Sequence, residues 1–566
     1  MPAAAERIPQ PGTEHPVRQR PDRAAAWLVA VVVAALVVRL VGLRHGLPHA
    51  YNADEELHFV PHAAAAADGD WSTGYFENPT GLTYLLALVF RAALPGDDAT
   101  ALLADDPGLV LTVARLVVAV LGTATVLVVG LAGRRAFGAA AGTWAAAFVG
   151  LSFLPVFYAH HALNDAATML PVALGLLACL RLHEHGGTAT AAVAGAAIGV
   201  ATGTKYLAAP MVAVVALALA MRVAAGRQRL ASGLRDLGVA AVACLVGLLA
   251  LNPFVVVHAG TFWRQVTGQS AQAATGKLGQ TGSAWLGYPA TLLWGLGLVP
   301  VLLAIGGLAL AWRRERQKAV LLLALPVLLY LWMASHDRWF ARWMLPAYPA
   351  LAVLAGLGAA RTADALRRRL RGRTRPVATA LLAVVALAQP VAGVVRSDRL
   401  LLSTDTRAEA LAFLVRQPGG GRIVVEPAVP ESYRRELRAA GWQLFPVERP
   451  FQRYEIGLHP GLLDTYRAAG RCWVMVNSHQ RDRGLAAGLT DAAAYYARLA
   501  AEGRRVLAVS PYEPGVIRPE FSYDFSFNYY PSSYDRPGPV VELHRLDDCA
   551  AAPVRTGPTY DTRGTP

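Results

Sequence analysis

From residue 24 to about 395 the chain alternates long apolar runs with short polar stretches, and then its pattern changes. The runs fall at 24–43, 109–133, 137–159, 162–182, 188–206, 207–225, 237–257, 286–311, 319–335, 343–361 and 376–395. A hydrocarbon core about 30 Å thick needs roughly 20 apolar helical residues to cross it, so each run predicts a spanning helix, about 11 in all. The first run follows a basic leader with Arg7, Arg18, Arg20 and Arg23. It is too long for a signal-peptide core and lacks a convincing cleavage site, so it reads as an uncleaved signal anchor. Residues 1–23, rich in Pro and Arg, are expected to be a disordered cytoplasmic tail.

The stretch 46–108 between the first two spans predicts an outer loop with structure of its own. It contains a further apolar run, 81–94, bracketed by Pro79 and Pro95. That length is short for a span and suits a helix lying in the interface, with 55–67 as a second one. After Arg396 the strand-like segments 422–425, 472–476, 506–509 and 540–544 alternate with helical ones at 406–415 and 491–502. The fold class expected is therefore an α-helical polytopic membrane domain over 24–395, followed by a soluble α/β domain over 396–549. Residues 550–566, rich in Pro, Gly and Thr, read as a disordered tail.

Composition agrees: 54% of residues are hydrophobic and 16% charged, where soluble domains carry about a quarter charged residues. The net charge of +14 does not point to nucleic acid, because the cations sit in short clusters between apolar runs rather than on one soluble face. They follow the positive-inside bias instead. Arg134 and Arg135, Arg181, the group Arg222, Arg227, Arg229 and Arg235, the group Arg313, Arg314, Arg316 and Lys318, and Arg361 with the arginines of 367–375 all fall in alternate loops. The first outer loop is acidic, with Asp54, Glu55, Glu56, Asp68, Asp70, Glu77, Asp97, Asp98, Asp105 and Asp106. This parity predicts a multi-pass plasma-membrane protein in contact with membrane lipids, its N-terminus cytoplasmic and its C-terminal domain extracytoplasmic.

Of the four cysteines, Cys179 and Cys244 fall in apolar spans. Cys472 and Cys549 fall in the outer domain, where an oxidising compartment would allow them either to pair or to stay apart. No spacing resembles a zinc or haem site, and no metal is expected.

Ionisable groups gather at the outer ends of the spans: Asp54 with Glu55; His160, His161 and Asp165; Lys205; and His336, Asp337, Arg338 and Arg342. Any one of them can be a side chain snorkelling to the interface. Ionisable residues near membrane depth are costly, however, and the set on one side predicts one site facing a cavity.

Several tracts resemble glycosyltransferase family 39, the GT-C family of protein O-mannosyltransferases and aminoarabinose transferases. They are Tyr51-Asn52-Ala53-Asp54-Glu55, Asn78-Pro79-Thr80-Gly81-Leu82, Ala114-Arg115-Leu116, Arg134-Arg135-Ala136-Phe137-Gly138, Gly199-Val200-Ala201-Thr202-Gly203-Thr204-Lys205-Tyr206 and Arg338-Trp339-Phe340-Ala341-Arg342-Trp343-Met344-Leu345-Pro346. The resemblance implies an inverting transfer of a monosaccharide from a polyprenyl-phosphate carrier to a hydroxyl of a protein, lipid or glycan acceptor on the outer face. It places the general base on Asp54. Glu55 would orient the loop or accept a hydrogen bond from sugar, or be an ordinary solvated carboxylate.

Lys205, Arg338 and Arg342 suit the donor phosphate, since guanidinium and ammonium groups grip phosphate in a partly dry site. Asp165, His160 and Arg115 are further candidates for substrate contact, with helix capping the simpler account of Asp165 and anchoring that of Arg115. No cofactor is expected, a divalent cation being the one possible helper. Family members often carry two consecutive prolines where this chain has Asn78-Pro79-Thr80, and the acidic pair is extended by Glu56. Both departures leave the sugar open. The competing class is a multi-pass secondary transporter, which would show internal repeats and charges at mid-span; neither is visible. A sensing receptor is a third reading.

Overall fold

A computed structural model describes residues 23–96, 98–372, 374–446 and 453–549. Apart from Arg23, the two tails expected at 1–23 and 550–566 lie outside the described residues. All eleven apolar runs are helical: Arg23–Leu40, Pro107–Phe137, Ala139–Leu151 continued by Phe153–Tyr158, Asn164–His185, Thr188–Thr204, Tyr206–Ala224, Leu230–Leu251, Ala284–Arg314, Arg316–Ala334, Ala341–Arg369 and Thr374–Leu401. Among the described residues, eight helices are long and apolar enough to cross a membrane individually. The chain is a multi-pass membrane protein. The last helix runs to Leu401 rather than stopping near residue 395.

Small residues let the spans approach closely, as they must where lipid offers no hydrophobic drive for helix association. Thr188–Thr204 meets Leu230–Leu251 at Gly195 and Gly199, where a Cβ would lie 2.0 and 2.1 Å from the carbonyl oxygens of Ala240 and Cys244. The basic loops converge at one end of the bundle. There Arg135 pairs with Glu184 at 2.7 Å, Arg222 donates to the His183 carbonyl at 2.9 Å and Lys318 to the Ala136 carbonyl at 2.8 Å.

The first loop occupies the opposite end. Its chain makes a π-turn over Glu55–Phe59, runs into Val60–Ala67, and returns as Gly81–Ala93 and Ala99–Asp105. These are the helices expected at 55–67 and 81–94. Gly81–Ala93 buries Leu82, Leu86 and Phe90 while Leu85 and Leu88 stay exposed.

The C-terminal unit is a five-stranded sheet, β1 (Gly421–Val425), β2 (Trp442–Pro446), β3 (Trp473–Asn477), β4 (Gly503–Val509) and β5 (Val541–Leu546), in the order β2-β1-β3-β5-β4. β1 is parallel to both β2 and β3, and β5 is antiparallel to β3 and β4. The helices Thr406–Val415 and Thr490–Glu502 appear as expected. β2 and the charged helix Glu431–Ala439 were not anticipated, because the helix is mostly charged and the five-residue run of β2 shows no polar-apolar alternation and ends in Pro446. Cys472 and Cys549 are joined in a disulfide, with Cα atoms 5.5 Å apart.

This unit rests on the end of the bundle that carries the first loop. Glu56 accepts from the Glu431 amide at 2.8 Å, His49 meets Ser432 Oγ at 3.0 Å, and the Arg407 guanidinium lies 3.7 Å from the centre of the Tyr51 ring. A stretch between β4 and β5 reaches deeper. Its short helix Phe525–Tyr529 is packed among Phe153, Phe157 and Trp294, and the Tyr529 hydroxyl meets that of Tyr158 at 2.9 Å.

Candidate active site

The Asn52 side chain starts the construction. Its Oδ1 accepts from the amides of Asp54 and Glu55 at 3.0 and 3.3 Å, a local turn that Asn favours. The π-turn that follows points these neighbouring carboxylates in different directions.

Glu55 points inward. Arg115 grips it with two parallel bonds, Nε to Oε1 and Nη2 to Oε2, both 2.7 Å, and the Ala162 amide donates to Oε1 at 2.8 Å. The remaining Arg115 nitrogen donates to the carbonyls of Leu43 and His45 at 3.0 and 2.8 Å. Both side chains are buried, with no polar group left for a ligand. The catalytic part expected of Glu55 and the substrate contact expected of Arg115 therefore lack an open atom to act through. The pair fastens the first loop to the second span.

Asp54 points outward and is half-buried. Its Oδ2 accepts from Arg342 Nη2 at 3.0 Å. Burial pushes its carboxyl up, but Arg342, His58, Lys205 and Lys277 together outweigh burial and hold it below its ordinary value. It is ionised at neutral pH. Arg342 stands on the tight turn Ala341–Ala347 that opens a span, its guanidinium 4.9 Å from the centre of the Phe340 ring. Behind it lies Asp165, whose Oδ1 is 3.9 Å from Arg342 Nε and in direct contact with Lys205 Nζ. Asp165 caps no helix; the residue at that cap is Leu163. Lys205 sits where Thr188–Thr204 ends and the backbone turns extended.

Arg338 lies near this group, mostly buried, and its Nη1 reaches Gln272 Oε1 at 3.4 Å. Its Nε is buried without a hydrogen-bond partner among the described residues. His160 is elsewhere. Both its ring nitrogens face carbonyls, those of Val156 and Val41, at 2.9 and 2.8 Å, and the Asp398 carboxylate lies 3.7 Å away. The substrate contact expected of His160 lacks an open atom, since the ring is fully buried and both its nitrogens are engaged.

Sequence reasoning overlooked three parts of this site. Lys277 faces Asp54, Arg342 and Arg338, and burial followed by Arg338 lowers its ammonium to about 8. The available signal was its isolation, since it is the single Lys or Arg between Arg264 and Arg313. An asparagine network sets the backbone beneath Lys205. Asn164 donates to the Thr204 carbonyl and to Asn78 Oδ1 at 2.9 and 3.2 Å, and Asn252 accepts from the Thr80 amide at 2.8 Å. A close approach completes it: a Cβ on Gly81 would lie 2.5 Å from the Gly203 carbonyl. Asp524, from the C-terminal unit, is the third. Its Oδ2 accepts from the Ala341 amide at 2.9 Å.

The arrangement gathers Asp54, Asp165, Lys205, Lys277, Arg338 and Arg342. Four cations thus crowd beside one accessible, ionised base, with Asp165 and Asp524 near Arg342 and Glu77 facing Arg338.

Known proteins can be set beside this geometry. Residues 101–256 match the family model described as dolichyl-phosphate-mannose-protein mannosyltransferase. The archaeal oligosaccharyltransferase AglB from Archaeoglobus fulgidus, in complex with an inhibitory peptide and a dolichol-phosphate, is similar with a TM-score of 0.51. The identity is 13%, covering 87% of this chain and 73% of that one. The chain has the GT-C fold. ArnT from Cupriavidus metallidurans, in the apo state, is similar over 81% of this chain and 93% of its own, with 19% identity and a TM-score of 0.49. No curated protein matches the chain in sequence. The resemblance to family 39 thus stands, and the matched segment of the GT-C domain holds Arg115, Asp165 and Lys205.

Proposed function

We propose that this chain transfers a monosaccharide from a polyprenyl-phosphate carrier to an acceptor hydroxyl at the outer face of the membrane, with inversion at the anomeric carbon. The observation that carries the reading is the half-buried Asp54 carboxylate held 3.0 Å from Arg342 with Lys205 and Lys277 facing it and Arg338 beside Lys277. The family described for residues 101–256 and the dolichol-phosphate bound to AglB, a protein of the same fold, support the donor class.

The chemistry follows from the charges. A phosphate departs as a stabilised anion, so no acid is needed to protonate the leaving group; cationic clamping does that work. Arg342, Arg338, Lys205 and Lys277 hold the phosphate. As it binds, it competes with Asp54 for Arg342 and frees the carboxylate. Asp54 then takes the proton of the acceptor hydroxyl as that oxygen bonds to the anomeric carbon. The bond from that carbon to the phosphate oxygen breaks, and its electron pair leaves with the polyprenyl phosphate. Attack opposite the departing group inverts the configuration.

The test uses the purified full chain in detergent with labelled polyprenyl-phosphate sugars of mannose, aminoarabinose and hexosamine type and a crude acceptor extract. One donor should be consumed, with release of polyprenyl phosphate. Arg338→Ala and Lys205→Ala should each weaken polyprenyl-phosphate binding by about tenfold or more, as expected for a lost charge-assisted bond. Absence of transfer from every donor by well-folded protein, or unchanged carrier affinity in both variants, would overturn the proposal.

A further inference from the structure

The C-terminal unit contacts the chain on both flanks of Asp54 and immediately before Arg342. On the Asp54 side it holds the flanks of the tract, through Arg407 against the Tyr51 ring and the Glu431 amide on Glu56. Arg407 is itself fixed by two bonds to Asp405, at 2.8 and 2.7 Å, and by a third to the Ala428 carbonyl at 3.1 Å. On the Arg342 side it supplies the Asp524 carboxylate, with the Tyr523 ring 5.8 Å from that of Phe340.

Asp524 is nearly inaccessible, with both oxygens engaged. Oδ2 accepts from the amide of Ala341, the residue next to Arg342, and Oδ1 accepts from Asn528 Nδ2 at 3.0 Å. Ala341 opens the tight turn Ala341–Ala347, where the first amides have no partner within the turn. Phe340 before it is extended, and Phe340 itself makes no side-chain cap. The cap is supplied instead from a residue 183 positions later in the chain. Asp524 is in turn anchored by the aromatic packing of Phe525 and Tyr529 against Trp294, Phe153 and Phe157.

We propose that Asp524 is a positioning residue for Arg342: by capping the turn that carries the guanidinium, the C-terminal unit sets the distance between Arg342 and Asp54. This rests on the reading of Arg342 as a holder of the donor phosphate. The C-terminal unit is then a working part of the active site rather than a cover over it. A residue at the start of a turn swings its neighbour's side chain when the backbone shifts, and misplacement by about 1 Å costs about a hundredfold in well-aligned reactions.

The experiment is a double-mutant cycle in the full-length protein, reading polyprenyl-phosphate affinity and kcat separately. Asp524→Ala should lower kcat/KM by about tenfold to a hundredfold. In an Arg342→Ala background the same change should cost less than about twofold, because coupled residues are non-additive. A merely structural role would cost the same in both backgrounds, and that result overturns the inference. Where Asp524→Ala does not purify, Asp524→Asn serves. Its amide oxygen still accepts from Ala341, so a smaller loss that also vanishes in the Arg342→Ala background supports the proposal, and an additive one refutes it. Tyr529→Phe removes the bond to Tyr158 without touching the cap and should leave kcat/KM within about threefold. If wild-type protein binds no polyprenyl phosphate, the functional reading has failed. If it binds, and Arg342→Ala weakens it while Asp524→Ala does not, only the positioning inference has failed.

Discussion

Asp54 and Glu55 are neighbours of like charge, yet they belong to two different regions of the molecule. Glu55 and Arg115 form a closed pair, buried and with every polar atom used. Asp54 and Arg342 form an open one, a single 3.0 Å contact at the edge of a cationic cluster. The closed pair holds the backbone so that the open one can change partners. Burial with full satisfaction makes an ion pair a structural fastening, while partial exposure beside further cations makes it a site.

The sharpest way to break this comparison is to neutralise each carboxylate in turn. Asp54→Asn should keep the fold and carrier binding while transfer falls by about 100- to 10,000-fold, the range of a lost general base. Full activity in that variant would remove Asp54 from the chemistry. Arg115→Ala should do the reverse. It strands a buried carboxylate, a loss of about 3–5 kcal/mol in comparable cases, so thermal unfolding in detergent should move down by many degrees. The double variant Glu55→Met with Arg115→Met should recover much of that, since no charge is left unpaired. If Arg115→Ala unfolds like wild type, the closed pair is not a fastening.

The contrast also explains how much could be read in advance. The spans were legible because an apolar run of about 20 residues has one favourable destination. The helix Thr406–Val415 was legible for similar reasons of local pattern. Asp54, Arg342, Lys205, Asp165 and Arg338 lie in one neighbourhood, and sequence could group them because ionisable residues at one end of apolar helices carry a cost that demands partners. Sequence could not say which of them face a ligand. Glu55 and Arg115 are 60 residues apart and Asp54 and Arg342 are 288 apart, and both pairings depend on helix rotation that no local pattern encodes. His160 fell to the same blindness: its carbonyl partner Val41 comes from the first span. Asp524 was invisible because it lies among the aromatic residues of a separate unit and acts across a distance in sequence that only the assembled fold closes.

A finer test uses pH. Arg342, with His58, Lys205 and Lys277, outweighs burial and keeps Asp54 below its ordinary value. In the Asp524→Asn background, where that carboxyl no longer titrates, activity should therefore be flat from neutral pH downward and fall only beneath the usual carboxylate range. Replacing Arg342 by Gln removes the largest of these downward pulls, so the acid limb of the residual kcat/KM should move to higher pH. An unmoved limb would mean that Asp54 does not sense Arg342.

The smallest effect expected lies in the C-terminal unit, where Asp524 is a third kind of carboxylate, buried but capped by neutral donors. Burial raises it to about 6 against the opposing pull of the Ala341 amide, Arg342 and Asn528. A carboxyl raised on folding contributes stability that is complete below its unfolded value near 4 and is lost as pH rises through about 6. At neutral pH the folded protein therefore bears the cost of a buried charge. Asp524→Asn cannot ionise. It should match wild type in stability near pH 4 and exceed it by up to about 2 kcal/mol at pH 7, measured as the difference in unfolding temperature across that interval. A variant that is sturdier yet slower would separate Asp524 from the closed Glu55–Arg115 pair and align it with the open one. Equal pH dependence in both proteins would show instead that Asp524 stays ionised throughout and that its cap is an ordinary charged one.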